Sequence, residues 1–382
     1  MELTFEQGPI RPPSEAQSLL IRATRNCPWN RCAFCYTYQG CDFELRSVED
    51  VKEDIQAARD IADQIKELSW KMGEGGRVNR SVVAAVYSNE HLYGNSFRSV
   101  VTWLYYGGES VFLQDANSLI LKTPDLVEIL RFIKEKFPLV SRITSYCRSK
   151  TTKRKTLEEL KQIREVGLSR IHIGLETGYD PLLEFMKKGV TAAEHVEGGR
   201  KVVASGISLC EYVMPGLGGD RWSREHAVET ANALNQINPD FIRLRSLQVR
   251  RGTALYDRME KGEFQPLGDE DVLTEIRLFI EHLDGIQSKL ISDHIRNLLE
   301  EVQGNLSEDK DRMLATIDRY FSLPARDRMI YRLGRWQGLY RRLDDLADLD
   351  LYQRFEVIVD RYLAEDPDRL DRDLDQIRQN FV

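Results

Sequence analysis

The segment SLLIRATRNCPWNRCAFCY, residues 18–36, begins as a strand and ends in three cysteines. Ser18 to Ala23 is a largely apolar run with strand character. It passes directly into Asn26-Cys27-Pro28-Trp29-Asn30-Arg31-Cys32-Ala33-Phe34-Cys35-Tyr36, a C-x4-C-x2-C spacing at a strand's C-terminal end. Thiolates this close in sequence can wrap one metal centre, and soft sulfur selects zinc, copper(I) or iron–sulfur. A structural zinc site wants four closed ligands, and Cys41 is the nearest fourth. A plant-type ferredoxin cluster needs its fourth cysteine well downstream, where Cys147 and Cys210 lie at separate strand positions. A [4Fe–4S] cluster held by only three cysteines leaves one iron open, as catalytic metals keep an open position.

Outward from this segment the chain alternates strands and helices. Residues 47–72 read as a helix opened by Ser47 with Asp50 three residues on. Strands follow at 111–115, 140–146, 170–175, 207–213 and 240–247. Helices fall between them, from Pro124 to about Lys136, at 156–166, 191–205 and 223–237, several of them ended by glycine. Alternation of this kind indicates parallel pairing. Six units predict an α/β fold, a partial (β/α)6 TIM-like barrel over residues 1–252, with an insertion at about 73–106. Past Gly252 no convincing strand appears. Charged amphipathic helices at 268–303, 308–322, 325–345 and 349–380 predict a helical C-terminal region over 253–382.

Composition sets bounds. The chain has 382 residues, 42% hydrophobic and 30% charged, which is globular rather than disordered. A formal charge of −7 does not favour nucleic acid as a partner. No apolar run approaches the ~18 residues of a membrane span. The opening MELTFEQGPI has no signal-peptide pattern, so a cytoplasmic location is expected. Six cysteines are too few for a disulfide scaffold.

The cysteine segment resembles that of the radical S-adenosylmethionine (SAM) superfamily. Most members carry C-x3-C-x2-C; here the spacing is the C-x4-C-x2-C variant. The resemblance covers roughly residues 15–250 and is strongest at RNCPWNRCAFC, VFLQDANSLILK, RIHIGLETGYDPLLEFMKKGVT, YVMPGLGG and DFIRLRSL. It points to a branch near the oxygen-independent coproporphyrinogen III oxidases and the B12-binding-domain radical SAM proteins, without the B12 domain, since 26 residues precede Cys27. It implies a [4Fe–4S] cluster on Cys27, Cys32 and Cys35, with SAM chelating the open iron. One-electron reduction, from an external flavodoxin- or ferredoxin-type donor, then cleaves SAM to a 5′-deoxyadenosyl radical that abstracts hydrogen from a small-molecule substrate.

In a parallel barrel, ligands sit at the C-terminal strand ends. Asp115 with its neighbouring backbone carbonyls is expected to take the SAM amino group. Gly107-Gly108-Glu109, the obvious match to the family's GGE motif, precedes its strand and reads as an ordinary turn. By the resemblance, Phe34 packs near the adenine and Glu176 stands where a SAM-contacting Gln does. Lys188 replaces an Arg, and Glu211 matches a ribose-binding acid. Ser145 is a further candidate contact. Gly174 and Gly178 are expected to let backbone approach a ligand, and the Gly-rich loop Met214–Gly219 to pack on SAM.

His172 divides evenly between a barrel-lumen acid/base and a structural role. Arg243 and Arg245 alternate on one strand, where they either meet an anionic substrate or form salt bridges. Cys41, Cys147 and Cys210 read as bystanders. The basic, aromatic stretch 331–342 reads as an amphipathic helix rather than a surface for RNA or lipid. The rival readings of the whole chain are a non-catalytic iron–sulfur carrier and a zinc-stabilised binding protein.

Overall fold

The computed structural model describes residues 3–89, 93–366, 369–370 and 372–374. In chain order it contains β1 (Leu19–Arg22), β2 (Thr24–Arg25), β3 (Glu44–Leu45), α1 (Val48–Lys71), α2 (Arg80–Tyr87), α3 (Asn95–Tyr105), β4 (Ser110–Gln114) and α4 (Thr123–Lys136). Next come β5 (Arg142–Cys147), α5 (Ser149–Arg154), α6 (Leu157–Glu165), β6 (Leu168–Glu176), α7 (Asp180–Phe185), α8 (Ala192–Ala204), β7 (Ser208–Val213), α9 (Gly219–Ile237) and β8 (Phe241–Leu244). The remainder is α10 (Ala254–Glu260), α11 (Asp269–His282), β9 (Lys289–Ile291), β10 (Gly304–Asn305), α12 (Leu306–Ser322), α13 (Ala325–Trp336) and α14 (Leu349–Glu365).

Two compact units divide the chain. One holds Met1–Asn30, Thr37–Ile173 and Glu197–Leu209; the other holds Arg31–Tyr36, Gly174–Val196 and Cys210–Val382. In the first unit β1, β4, β5 and β6 lie side by side in that order, all parallel, with Leu19 against Val111 and Val111 against Ile143. The side chains of β1, β4 and β5 are mostly buried, as expected of parallel strands covered on both faces. Ser47 caps α1 by accepting from the Asp50 N–H, and Val51, Ile55, Ala58, Ile61, Ala62 and Ile65 form its buried stripe. The insertion over 73–106 folds as α2 and α3. Gly107 and Gly108 turn the chain into β4 with φ of 103° and 69°, a turn as expected.

In the second unit β7, β8 and β9 run parallel, with Glu211 against Ile242, Tyr212 against Arg243 and Arg243 against Ile291. β10 closes this series antiparallel to β9. These last two strands correct the expectation of helix alone after Gly252. The helix expected over 268–303 stops at His282, Gly285 follows at φ 68°, and the chain becomes extended against β8. The ladder offered by β8 supplies what three residues of local preference could not. Part of the helix expected over 349–380 lies outside the described residues. The 331–342 stretch is interior: Tyr331, Leu333, Trp336 and Tyr340 are buried, and the Trp336 indole N–H donates to Asp269 at 2.8 Å.

Candidate functional site

The cysteine segment is shaped by its asparagines. Asn26 and Asn30 adopt left-handed backbone, φ 65° and 44°, which Asn tolerates better than most residues. Their side-chain amides donate to the Asp42 carbonyl at 2.6 Å and the Cys41 carbonyl at 2.9 Å, fixing the return of the loop. Within the second unit, Ala33 is the anchor of the 31–36 segment. Its N–H donates to the Met186 carbonyl, and its own carbonyl accepts from the Leu255 N–H, both at 2.9 Å. Ala33 is buried among Leu182, Met186 and Leu255, with Phe34 packed beside them. Cys27, Cys32 and Cys35 are half-buried and outside any disulfide, and Cys41 is exposed and likewise unbridged. Three unbridged cysteines are the donor type that iron–sulfur centres take. Among the described residues, no three His, Cys, Asp or Glu side chains are gathered closely enough to cage a metal ion.

Asp115 directly follows β4 and is fully buried. Its Oδ1 accepts from the Tyr38 hydroxyl at 2.7 Å. Its Oδ2 accepts from Arg22 Nε at 2.7 Å and from the Asn26 N–H at 3.0 Å. Burial, and then the Asp115 charge beside it, pushes the Tyr38 phenol well above its usual range. Both carboxylate oxygens are therefore engaged, and the side chain ties β1 and β4 to the start of the cysteine segment. Ser145 is likewise buried, its hydroxyl donating to the Leu113 and Tyr146 carbonyls at 3.2 and 3.0 Å.

The charged groups of the second unit gather where β6 and β7 end. Lys188 Nζ pairs with Glu176 Oε1 at 3.0 Å and stands 5.7 Å from the Phe34 ring centroid. Glu176 has φ 63°, so the chain reverses there and turns its carboxylate back over Gly174. A Cβ on Gly174 would lie 2.2 Å from that carboxylate. Gly174 thus makes room for an ion pair. Gly178 makes room for protein backbone, since its Cβ would lie 2.3 Å from the Glu229 carbonyl of α9. Glu211, on β7, is fully buried, and neither carboxyl oxygen has a hydrogen-bond partner among the described residues. Burial raises its pKa well above the usual range, the Glu176 charge raises it further, and Lys188 opposes them. A buried, unpartnered carboxyl is costly unless a ligand satisfies it.

Residues 96–231 match the radical SAM superfamily. That match spans about a third of the chain. It is 24% identical over 272 residues to biotin synthase of Methanocaldococcus jannaschii, covering 70% of each chain. It is 26% identical over 117 residues to the tRNA uridine(34) acetyltransferase of the same organism, covering 30% of this chain and 22% of that one. The chain thus spans under a quarter of that relative. Among solved structures, methylornithine synthase aligns at 17% identity with a TM-score of 0.41, over 73% of this chain and 66% of that one. No helix among the described residues is long and apolar enough to cross a membrane.

Other residues have roles in the fold. Cys147 is buried with its thiol 3.3 Å from Asn117 Oδ1, and Cys210 is buried within β7. His172 stands 3.8 Å from the buried Glu15 carboxylate. Arg243 pairs with Asp293 at 2.8 Å. The Gly-rich loop is held by residues the sequence did not single out. Glu275, buried on α11, accepts from the Gly216 N–H and the Ser223 hydroxyl, each at 2.6 Å. His226 on α9 reaches Thr177 Oγ1 at 2.8 Å and the Met214 carbonyl at 3.1 Å. Burial raises Glu275 to about 7 and lowers His226 to about 4. One signal was present: Glu275 lies on the apolar stripe of Val272, Ile276 and Phe279, where a carboxylate needs a reason.

Proposed function

We propose that the protein uses Cys27, Cys32 and Cys35 to hold a [4Fe–4S] cluster and binds SAM at the ends of its parallel strands. The orphaned Glu211 carboxyl carries this reading, being a buried polar group that lacks a partner beside a charged pair. When bound, the cluster and SAM together supply a radical that abstracts hydrogen. The chain's own residues bind and orient. Lys188 meets the methionine carboxylate, and Glu176 fixes the position of that ammonium group. Glu211 meets the ribose hydroxyls, its carboxyl oxygens accepting from them. Phe34 stacks against the adenine. Asp115 and Ser145 have partners of their own, so the SAM amino group falls to the backbone carbonyls beside Asp115. An external one-electron donor of flavodoxin or ferredoxin type completes the system, and the substrate is a small molecule.

Metal analysis tests the ligand set. Anaerobically prepared protein should contain iron and sulfide, retained in Cys41→Ser and lost in Cys27→Ser, Cys32→Ser and Cys35→Ser. Protein that carries zinc and no iron would overturn the assignment.

A further inference from the structure

The parallel strands of the first unit have two ends. Asp115 and the start of the cysteine segment lie past the C-terminal ends of β4 and β1. At the opposite end, where β5 and β6 begin, the surface opens into a cavity of about 570 Å³. Arg131 and Lys134 of α4, Arg164 and Glu165 of α6, Ser141 and Gly167 are among the residues that line it. That volume is in the range of small-molecule sites. β5 is six residues long, so about 20 Å separates its two ends.

Gly167 shapes the cavity. α6 ends at Glu165, and Gly167 follows at φ 117°, a conformation open to glycine. A Cβ there would lie 2.7 Å from Lys134 Cε and 3.7 Å from its Nζ. The lysine thus crosses space that a side chain on residue 167 would need. Its ammonium group donates to the Val140 carbonyl. Arg164 Nε donates to the Gly206 carbonyl at 3.0 Å. Both cations are thereby held at the cavity wall.

The charge of the wall is unbalanced. Arg131, Lys134 and Arg164 form no ion pair among the described residues, and neither does Glu165. The C-terminal ends of α4 and α6 add about half a negative charge each. Three cations against one carboxylate and two helix ends leave an excess of about one positive charge. Unused donors are more plentiful than that. Arg131 keeps all five of its N–H groups, Arg164 keeps four and Lys134 two. A carboxylate offers two oxygens in one plane. A phosphate offers oxygens in several directions, which suits donors from three separate side chains on two helices.

We propose that this cavity binds a phosphate group, free or carried as the ester of a small molecule, at the end of the strands away from the cysteine segment. Binding there needs neither cluster nor SAM.

Calorimetric titration of the full-length protein with inorganic phosphate, ribose 5-phosphate and succinate, each separately, provides the test. Saturable one-site binding of phosphate or ribose 5-phosphate is expected, weakened at least tenfold in Arg131→Gln and in Arg164→Gln. It should be unchanged in Arg354→Gln, an exposed arginine on α14. Arg131 is itself exposed and makes no hydrogen bond among the described residues, so its variant should keep the wild-type unfolding midpoint. Tighter binding of ribose 5-phosphate identifies a phosphate ester as the occupant; equal or weaker binding identifies free phosphate. No saturable binding of either phosphate, binding that the two substitutions leave unaltered, or tighter binding of succinate than of both phosphates would overturn the site.

Discussion

Lys188 Nζ and Glu176 Oε1 stand 3.0 Å apart above a glycine, Gly174, whose missing side chain leaves the space they occupy. Twelve residues separate them in sequence. The pair presents one cation and one carboxylate to the space beside Glu211.

This arrangement gives a mutational signature. Glu176→Ala and Lys188→Ala should each weaken SAM binding about tenfold or more, roughly 1.4 kcal/mol. Gly174→Ala should do the same without touching SAM, because its Cβ would lie 2.2 Å from Glu176 Oε1 and 3.1 Å from Lys188 Nζ. The clash falls on flexible side-chain ends, so the unfolding midpoint should hardly move. Equilibrium dialysis with labelled SAM reads the affinity. Wild-type affinity in Gly174→Ala would mean that the pair's position does not matter.

Asp115 should behave as an anchor. Removing it strands Arg22 and the Tyr38 hydroxyl inside the first unit, a loss of about 3 kcal/mol or more. Tyr38→Phe removes one hydrogen bond and should cost about 1 kcal/mol. Urea unfolding followed by circular dichroism measures both. An Asp115→Ala protein of wild-type stability with reduced SAM affinity would instead make the side chain itself a ligand.

His226 and Glu275, 3.6 Å apart, should impose opposite pH slopes on stability. Glu275 is raised to about 7, so the stability it contributes is full below its unfolded value and declines as pH rises from about 4.5 through 7. His226 is lowered to about 4, so its contribution is full above about 6.5 and declines as pH falls through 4. In the wild type the two trends oppose each other. Glu275→Gln should leave a protein that loses stability toward acid, and His226→Gln one that loses it toward neutral pH. Urea midpoints collected across pH 5 to about 7 distinguish them. Superimposable profiles for all three proteins would refute the opposed slopes.

Much of the fold was legible because parallel strands buried on both faces read as apolar runs between glycine-ended helices. Ser110–Gln114 and Ser208–Val213 fall within a residue or two of the expected strands. β9 was hidden because Lys289-Leu290-Ile291 is short and lies in charged sequence; its pairing with β8 exists only in three dimensions. Spacing singled out the cysteine segment, and the family resemblance pointed to Glu176 and Lys188, which the fold pairs, and to Glu211, which it buries. The role of Gly178 was not, because the backbone it admits comes from α9, about fifty residues on. His226 was hidden because a buried imidazole looks like part of a solvated face until the helices are packed, and Glu275 showed only as a carboxylate on an apolar stripe.

The most direct measurement is reductive cleavage of SAM. Anaerobically reconstituted protein, given dithionite and SAM, should release 5′-deoxyadenosine and methionine, and Cys27→Ala treated identically should release neither. No 5′-deoxyadenosine above the Cys27→Ala level, from wild-type protein that carries its full complement of iron, would contradict the account.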